Sequence, residues 1–510
     1  MNSKSTTAMG SEESRSLITG QLALVSGIVV LCILVARLVL SKIGQPNTSL
    51  TITNKNGERL PEIDVRSKKF RSSRELSRKI KNSVGASPCL VRTGPNQELV
   101  LSTAQDVQDF YGQDYGRHMK TVTSQPGSPF GYVMPGAAAP PVNQDWRKIR
   151  KHFEPQLSIQ AVSQRVPRFT REIKTWVKNL DVDFVDSRQT FDLILFRMMY
   201  LHLYEDAYDD RKYWSLLQLY LSHKKAVEVT QGSAKLAKKF DNEWQEFCKM
   251  IVEVAQRGRW SCPVEVIYRG VDAKDITEEE YLSTLSEIMF NNVESTCQVL
   301  STVFTKLAAN RAVQDSLRSE IQENEDVSDV YLHKSDTLLH RVLQESLRLS
   351  PAMGKCSHFS RVQSPLASHG AIEIPSRSTT RTANNFPSVA GFSMPELASD
   401  ATTIAGYRVP AIAPVVIDAH CVHHDSAIWG PDYDLWDPDR FLRVDSKTIR
   451  SGFFPYGAGA TSERCLWRNA ADIIFKIIIV SIVDQISLEA VGDGGLLGGE
   501  NTDLNLRRLK

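Results

Sequence analysis

One cysteine stands where a thiolate would be useful. The stretch Phe453-Phe454-Pro455-Tyr456-Gly457-Ala458-Gly459-Ala460-Thr461-Ser462-Glu463-Arg464-Cys465 gathers aromatic residues, a proline and two glycines. That composition makes a poor helix and a poor strand but a good tight loop. A helix-like apolar run, 470–483, begins just after it. A thiol at this junction gains donors from the loop's backbone N–H groups and from the positive end of the helix, and both stabilise a thiolate. A thiolate held rigidly on a loop is what a haem iron needs as an axial ligand when O–O cleavage is the goal.

Four further groups of residues have spacings that carry chemistry. Glu345-Ser346-Leu347-Arg348 places a carboxylate and a guanidinium three apart, on one helix face, where they can pair. By itself this reads as a surface ion pair, but Leu349-Ser350-Pro351 follows it and Cys465 lies 117 residues after Arg348. Trp436-Asp437-Pro438-Asp439-Arg440-Phe441 offers a second guanidinium. Trp146-Arg147-Lys148-Ile149-Arg150 spaces an indole N–H and a guanidinium by four, again on one face. Asn291-Asn292-Val293-Glu294-Ser295-Thr296 puts a carboxylate and hydroxyls side by side in a long helical pattern, a pairing suited to proton relay.

Taken together and in this order, these stretches resemble the cytochrome P450 family. Its cysteine loop usually reads Phe-x-x-Gly-x-Arg-x-Cys-x-Gly. With Tyr456 in the aromatic place, the Gly459-to-Cys465 spacing is two residues longer, Arg464 directly precedes the cysteine, and Trp467 stands at the usual glycine. The resemblance implies that Cys465 is the axial ligand of haem b. It also implies that Glu345, Arg348 and Arg440 form a Glu-Arg-Arg lattice behind the loop, and that Arg464 is a haem-binding residue. Trp146 and Arg150 would reach a haem propionate, with His358 or Arg361 as a second contact. Glu294 and Ser295 would deliver protons over the oxygen-binding face, while Asn291 and Asn292 replace two usually small residues. An indole at Trp467 would clash, rotate outward or push the haem. Arg147, Lys148, Lys151 and Arg468 would present a basic face to an acidic flavoprotein electron donor.

The elements that must position these groups are partly legible. Residues 17–36 are an uncharged run of 20, long enough to span a bilayer as a helix, and Arg37 and Lys42 follow. Further basic residues, including Arg66, Lys68, Lys69, Arg71, Arg74, Arg78, Lys79 and Lys81, place the remainder of the chain in the cytosol by the positive-inside rule. That orientation puts the Asn47-Thr48-Ser49 glycosylation pattern on the wrong side. The organisation expected is a tail, 1–16, an anchor, 17–40, a basic linker, 41–85, and a catalytic domain, 86–510. Within the last, Leu90-Val91-Arg92 and Leu99-Val100-Leu101 flank Gly94-Pro95-Asn96 as a hairpin, and a helix follows at 103–111. Residues 126–141 form a Gly/Ala/Pro-rich loop, and 145–256 are broadly helical. Thr277-Glu278-Glu279-Glu280 is a capping box opening a helix that runs to about Asn310, and another helix covers 338–349. Residues 355–400, dense in Ser, Thr, Pro and Ala without period, read as a surface loop or disordered insert, with the surplus at about 362–399. The tail after Val483 is short, and Gly492 to Gly499 is too glycine-rich for closing strands.

Net charge of +2 offers no bulk electrostatic case for nucleic acid. Eight cysteines without a C-x-x-C pair argue against a disulfide framework or structural zinc and fit a reducing compartment. The fold implied is mainly α, the haem-thiolate fold with small β-sheets plus an N-terminal transmembrane helix, set in the endoplasmic reticulum membrane with the catalytic domain cytosolic. The reaction implied is monooxygenation. Two electrons come from NADPH through a flavoprotein reductase, one atom of O2 enters a small organic substrate, and the other goes to water. The long cysteine loop looks most like filamentous-fungal members that tailor secondary metabolites, including mycotoxin-type products. Two alternatives stay open at this point: a haem-binding membrane protein without oxygenase activity, and a haem-thiolate isomerase or dehydratase needing no outside electrons.

Overall fold

Helices carry most of the described residues, and the reason is visible in their apolar periodicity. The computed structural model describes residues 50–65, 73–85, 88–92, 97–112, 118–120, 146–180, 185–205, 210–230, 234–258, 261–286, 288–289, 292–324, 329–351, 396–398, 400–411, 413–459, 464–490 and 503–509. From Thr51 on they belong to one unit, Thr51–Thr93 with Gln97–Lys510; the other, Met1–Leu50 with Gly94–Asn96, contains only Leu50 among the described residues.

The helix Arg468–Gln485 is the central element. Ile473, Ile474, Phe475, Ile477, Ile478, Ile479, Val480, Ile482 and Val483 are all buried, so the helix is apolar all round and sits inside the protein. Each such side chain contributes roughly 1.5–3 kcal/mol by leaving water. Its one buried cation, Lys476, is satisfied: Nζ donates to the Leu332 carbonyl at 2.8 Å and pairs with Asp472 at 2.7 Å. Around this helix pack Val166–Lys178, Asn292–Ala309, Arg311–Glu323 and Leu338–Leu349, with Ser187–Tyr204 against Asn292–Ala309, their buried faces merging into one core.

The capping box forms as its residues dictate. Thr277 Oγ1 accepts from the Glu280 N–H at 3.1 Å while the Glu280 carboxylate accepts from the Thr277 N–H. The long helix it opens is not continuous. Glu278–Ser286 gives way to a wider π-type turn at 288–289 before Asn292–Ala309 resumes. Such a bulge is a common way to bend a helix near a functional site.

Among the described residues there are three sheets. The largest runs Glu62–Asp64, Cys89–Arg92, Gln97–Leu101, Pro414–Ile417, Glu396–Ala398, His118–Lys120. The expected hairpin is present, with Leu90 opposite Leu99, and Val416 pairs Val100 in parallel across the next junction. Thr103 caps the following helix, Ala104–Gly112, by accepting from the Asp106 N–H. A three-stranded sheet joins Thr53–Asn54, Tyr407–Val409 and Thr402–Ile404.

Three expectations need correction. Part of the basic stretch 41–85 is folded, not linker: Ile63 and Val65 from the strand region, with Leu76 and Ile80 of the helix Ser73–Val84, form a small core with Cys89, Val91, Val100 and Val416. The run of arginines and lysines concealed an apolar stripe at helical spacing. The surplus segment 362–399 is not structureless to its end, because Glu396–Ala398 is a strand between Pro414–Ile417 and His118–Lys120. The glycine-rich tail does not forgo closing strands: Ile486–Ala490 and Asp503–Arg508 pair antiparallel, with Val185–Asp186 beside them. The glycines lie between the strands, outside the described residues, as do the loop 126–141 and the whole of 352–395. The expected anchor 17–40 and the tail 1–16 are likewise outside. Among the described residues no helix is long and apolar enough to cross a membrane.

Candidate functional site

Cys465 stands three residues before the central helix, at the end of a loop that backbone hydrogen bonds close. Its N–H donates to the Tyr456 carbonyl at 2.8 Å, and the Gly457 N–H donates to the Phe454 carbonyl at 3.3 Å. Gly457 and Gly459 hold φ values of 99° and 85°, which side chains other than glycine rarely adopt, so these two glycines permit the turn. The Cys465 carbonyl accepts from the Arg468 N–H and, at 3.1 Å, from its guanidinium. Among the described cysteines Cys465 alone is half-buried; Cys89, Cys248, Cys262, Cys297 and Cys421 are buried. Burial pushes the thiols of Cys89 and Cys421 up to about 12, and that of Cys248 well above its ordinary value. Those three are therefore inert packing groups, while Cys465 is half-buried at the edge of the core.

Behind the loop lies the lattice expected of Glu345, Arg348 and Arg440, with a different distribution of partners. Glu345 and Arg348 are both fully buried and meet in a two-pronged pair, Nε–Oε2 at 2.7 Å and Nη2–Oε1 at 2.8 Å. Arg348 spends its other N–H groups on the carbonyls of His423 (2.8 Å) and Tyr433 (2.7 Å). Glu345 also accepts from the Asp437 N–H at 3.0 Å. Arg440 reaches Glu345 only at 3.4 Å and is held more closely by Asp432, at 2.9 Å, and by the carbonyls of Trp429, Asp432 and Leu435. The Arg440 guanidinium in turn holds the Asp432 carboxyl below its ordinary range. Trp436 fastens the segment to the helix Leu338–Leu349 through an N–H to Ser346 Oγ at 3.2 Å.

The remaining predicted residues fall out unevenly. Arg150, 2% exposed, lies on the helix Trp146–Phe153 and donates to the Arg464 carbonyl at 2.7 Å and to Glu154 at 3.1 Å. It thus grips the backbone next to the cysteine. Arg464 itself points its side chain to solvent, and only its carbonyl joins the site. Of the basic face, Lys148 and Lys151 are exposed and Arg468 is half-buried against Glu154. Glu294 and Ser295 lie in the first turn of Asn292–Ala309, directly after the π-type turn. Their side chains, with those of Trp146, Arg147 and Asn292, and the whole of Asn291, His358 and Arg361, are outside what is described.

Trp467 is the departure from the family pattern that the structure resolves most clearly. Its indole is turned into the helical core, 2% exposed, edge-on to the His202 ring with centroids 5.0 Å apart. His202 stacks on Phe169 and donates from Nε2 to the Gln156 carbonyl at 2.9 Å. Burial, with Arg165 nearby, pushes the His202 imidazole down to about 3, so a neutral ring faces the indole. Of the outcomes expected of this indole, the structure shows it turned into a slot of the core beside His202. Trp467→Ala should lower stability by about 3 kcal/mol through the cavity left behind, measured by denaturant unfolding. A loss below 1 kcal/mol would mean that the indole is not packed as described.

These observations fit a haem with an axial sulfur ligand. Cys465 is half-buried, the bulky residue two positions on is turned into the core, and charge-assisted bonds fix the neighbouring segment from His423 to Arg440. Two participants escaped sequence reasoning. Asp432 has no spacing signal toward Arg440, and His423 lies among three histidines in five residues with no motif to single it out.

The comparisons with known proteins agree with this geometry. The family model described as Cytochrome P450 matches residues 75–364 and 386–496, so the interruption falls inside the Ser/Thr/Pro-rich stretch. The chain is 37% identical to the cytochrome P450 monooxygenase opdB of Penicillium oxalicum, over 98% of this chain and 97% of that protein. It is 31% identical to the cytochrome P450 monooxygenase apdB of Emericella nidulans, over 87% of this chain and 88% of that one. Among solved structures, a zebra fish cytochrome P450 with abiraterone superposes with a TM-score of 0.60 at 16% identity, covering 86% of this chain and 98% of that one.

Proposed function

The chain belongs to the cytochrome P450 family, and from that premise we propose that it is a haem-thiolate monooxygenase tailoring a small organic secondary metabolite in a filamentous fungus. The observation that carries the reading is Cys465, half-buried at the end of a hydrogen-bonded loop, with Arg150 bonded to the carbonyl just before it. Similarity to the fungal monooxygenases opdB and apdB supports the tailoring role. Haem, when bound, supplies the redox chemistry that splits dioxygen, sending one atom to substrate and one to water.

The protein's own residues set the conditions for that chemistry. Cys465 presents its sulfur from a loop whose donors and adjoining helix end favour the thiolate. Glu345, Arg348 and Arg440 are assigned to bracing the loop indirectly, by fixing the segment 423–441 whose His423, Trp429 and Phe441 rings pack on Phe453. Arg150, packed against the backbone before the cysteine, is assigned with Trp146 to a haem propionate, an assignment supported by its position beside Arg464. Glu294 and Ser295 are assigned to passing protons from solvent into the pocket, supported by their place just after the π-type turn. Lys148, Lys151 and Arg468 are assigned to docking an NADPH-dependent flavoprotein reductase, and residues 17–40 to anchoring in the endoplasmic reticulum membrane.

The test is electron dependence. Expressed with a fungal reductase, the chain should convert its substrate to products heavier by one oxygen atom, labelled when heavy-isotope dioxygen is supplied. Conversion that persists without NADPH and reductase, or that leaves the label out, would overturn the proposal in favour of isomerisation or dehydration.

A further inference from the structure

We propose that His423 is a positioning residue for the cysteine ligand, acting as the hydrogen-bond acceptor that ties the buried Glu345–Arg348 pair to the start of the thiol-bearing loop. The connection can be followed atom by atom. Arg348, clamped by Glu345, donates from Nη1 to the His423 carbonyl at 2.8 Å. On the other side of the same residue, ring Nε2 lies 2.9 Å from the backbone nitrogen of Phe454. The Phe454 carbonyl accepts from Gly457, and the next carbonyl but one, Tyr456, accepts from Cys465. His423 is thus the one described side chain that a Phe454 N–H donates to, between the lattice and the loop.

The chemistry fixes the protonation pattern. A backbone N–H can only donate, so Nε2 must be the accepting nitrogen, and the ring proton sits on Nδ1. His423 is fully buried, and burial together with the adjacent Arg348 pushes its imidazole down to about 3, so the ring stays neutral and the lone pair on Nε2 stays available. The arrangement has a cost: Nδ1 is buried with no hydrogen-bond partner among the described residues. A leucine or phenylalanine would fill the space between Phe453 and Phe454 without that orphaned donor. What imidazole adds over an apolar side chain is the acceptor for Phe454. The short helix Ala419–His423, capped by Asp418 Oδ1 accepting from the Cys421 N–H, holds the ring at that point.

The inference rests on the haem-thiolate reading, and its test separates the two. The full-length holoprotein is prepared as wild type, His423→Leu and His423→Gln, the last placing an amide oxygen where Nε2 accepts. The reduced carbon monoxide spectrum is followed as its thiolate-type band converts to the thiol-type band. His423→Leu should convert roughly tenfold faster than wild type, the effect of leaving one buried N–H unpaired. His423→Gln should fall within about threefold of wild type. Equal rates in Leu and wild type, or equal acceleration in Leu and Gln, would overturn the inference, the second because packing alone would then explain the effect. If His423→Leu yields no haem-loaded protein, amide hydrogen exchange in the wild-type holoprotein decides. Slow exchange at Phe454 supports the bond, and exchange at the rate of an open loop amide overturns it. A wild type with no thiolate-type band would instead sink the haem-thiolate reading itself.

Discussion

Cys465→Ser should abolish the thiolate-type carbon monoxide band of the reduced protein completely, with the apoprotein still folded. The serine oxygen is nearly the size of the sulfur, and the loop's closing bonds use backbone atoms: the Cys465 N–H to Tyr456 and the Cys465 carbonyl to Arg468. None of these depends on the side chain, so helix content and the unfolding midpoint of the apoprotein should stay close to wild type. A neutral hydroxyl, however, is a far poorer soft-metal ligand than a thiolate. The same substitution at Cys89 or Cys421, whose thiols are buried and pushed up to about 12, should leave the spectrum untouched. A Cys465→Ser protein with an unchanged band would end the assignment, because every other described cysteine is buried.

Glu345→Ala should cost about 3–5 kcal/mol and deprive the protein of stable haem. The magnitude follows from what is left behind. Arg348 is fully buried, and removing its two-pronged partner strands a cation in the interior. The Asp437 N–H loses its acceptor as well. Arg440 should suffer less, since Asp432 holds it more closely than Glu345 does. Asp432→Asn, at a partly exposed carboxylate, should therefore cost about 1 kcal/mol or less. Denaturant unfolding gives the stability difference, and the ratio of haem to protein after purification gives retention. Full haem content in purified Glu345→Ala would refute the bracing role. An equal loss in Asp432→Asn would show that Arg440, not Arg348, is the essential cation.

These expectations also measure how far the chain could be read before it was folded. Thr277 and Glu280 specify their own reciprocal bonds because a capping box is closed by four neighbouring residues. The helix Leu338–Leu349 and the hairpin of Cys89–Arg92 with Gln97–Leu101 are equally local, set by apolar spacing and turn residues. Glu345 and Arg348 are three apart on one helix, so their pairing was written in the order of residues. The thiol at position 465, following a loop of glycines and aromatics, was legible for the same reason.

What stayed hidden depends on residues distant in the chain. Asp432 claims Arg440 because the segment between them folds back on itself, and no spacing rule foretells which carboxylate ends nearer. Trp467 found a slot built by His202, more than two hundred and fifty residues earlier, and only the packed core could show that the indole is accommodated. His423 joins Arg348 to Phe454 by using its carbonyl on one side and its ring on the other, a role invisible in a cluster of three histidines. Composition and periodicity decide which elements form and which residue types are at hand, since those forces act over a few residues. Which buried donor meets which acceptor is settled only when the elements pack, because a hydrogen bond is fixed by tenths of an ångström that local sequence does not encode.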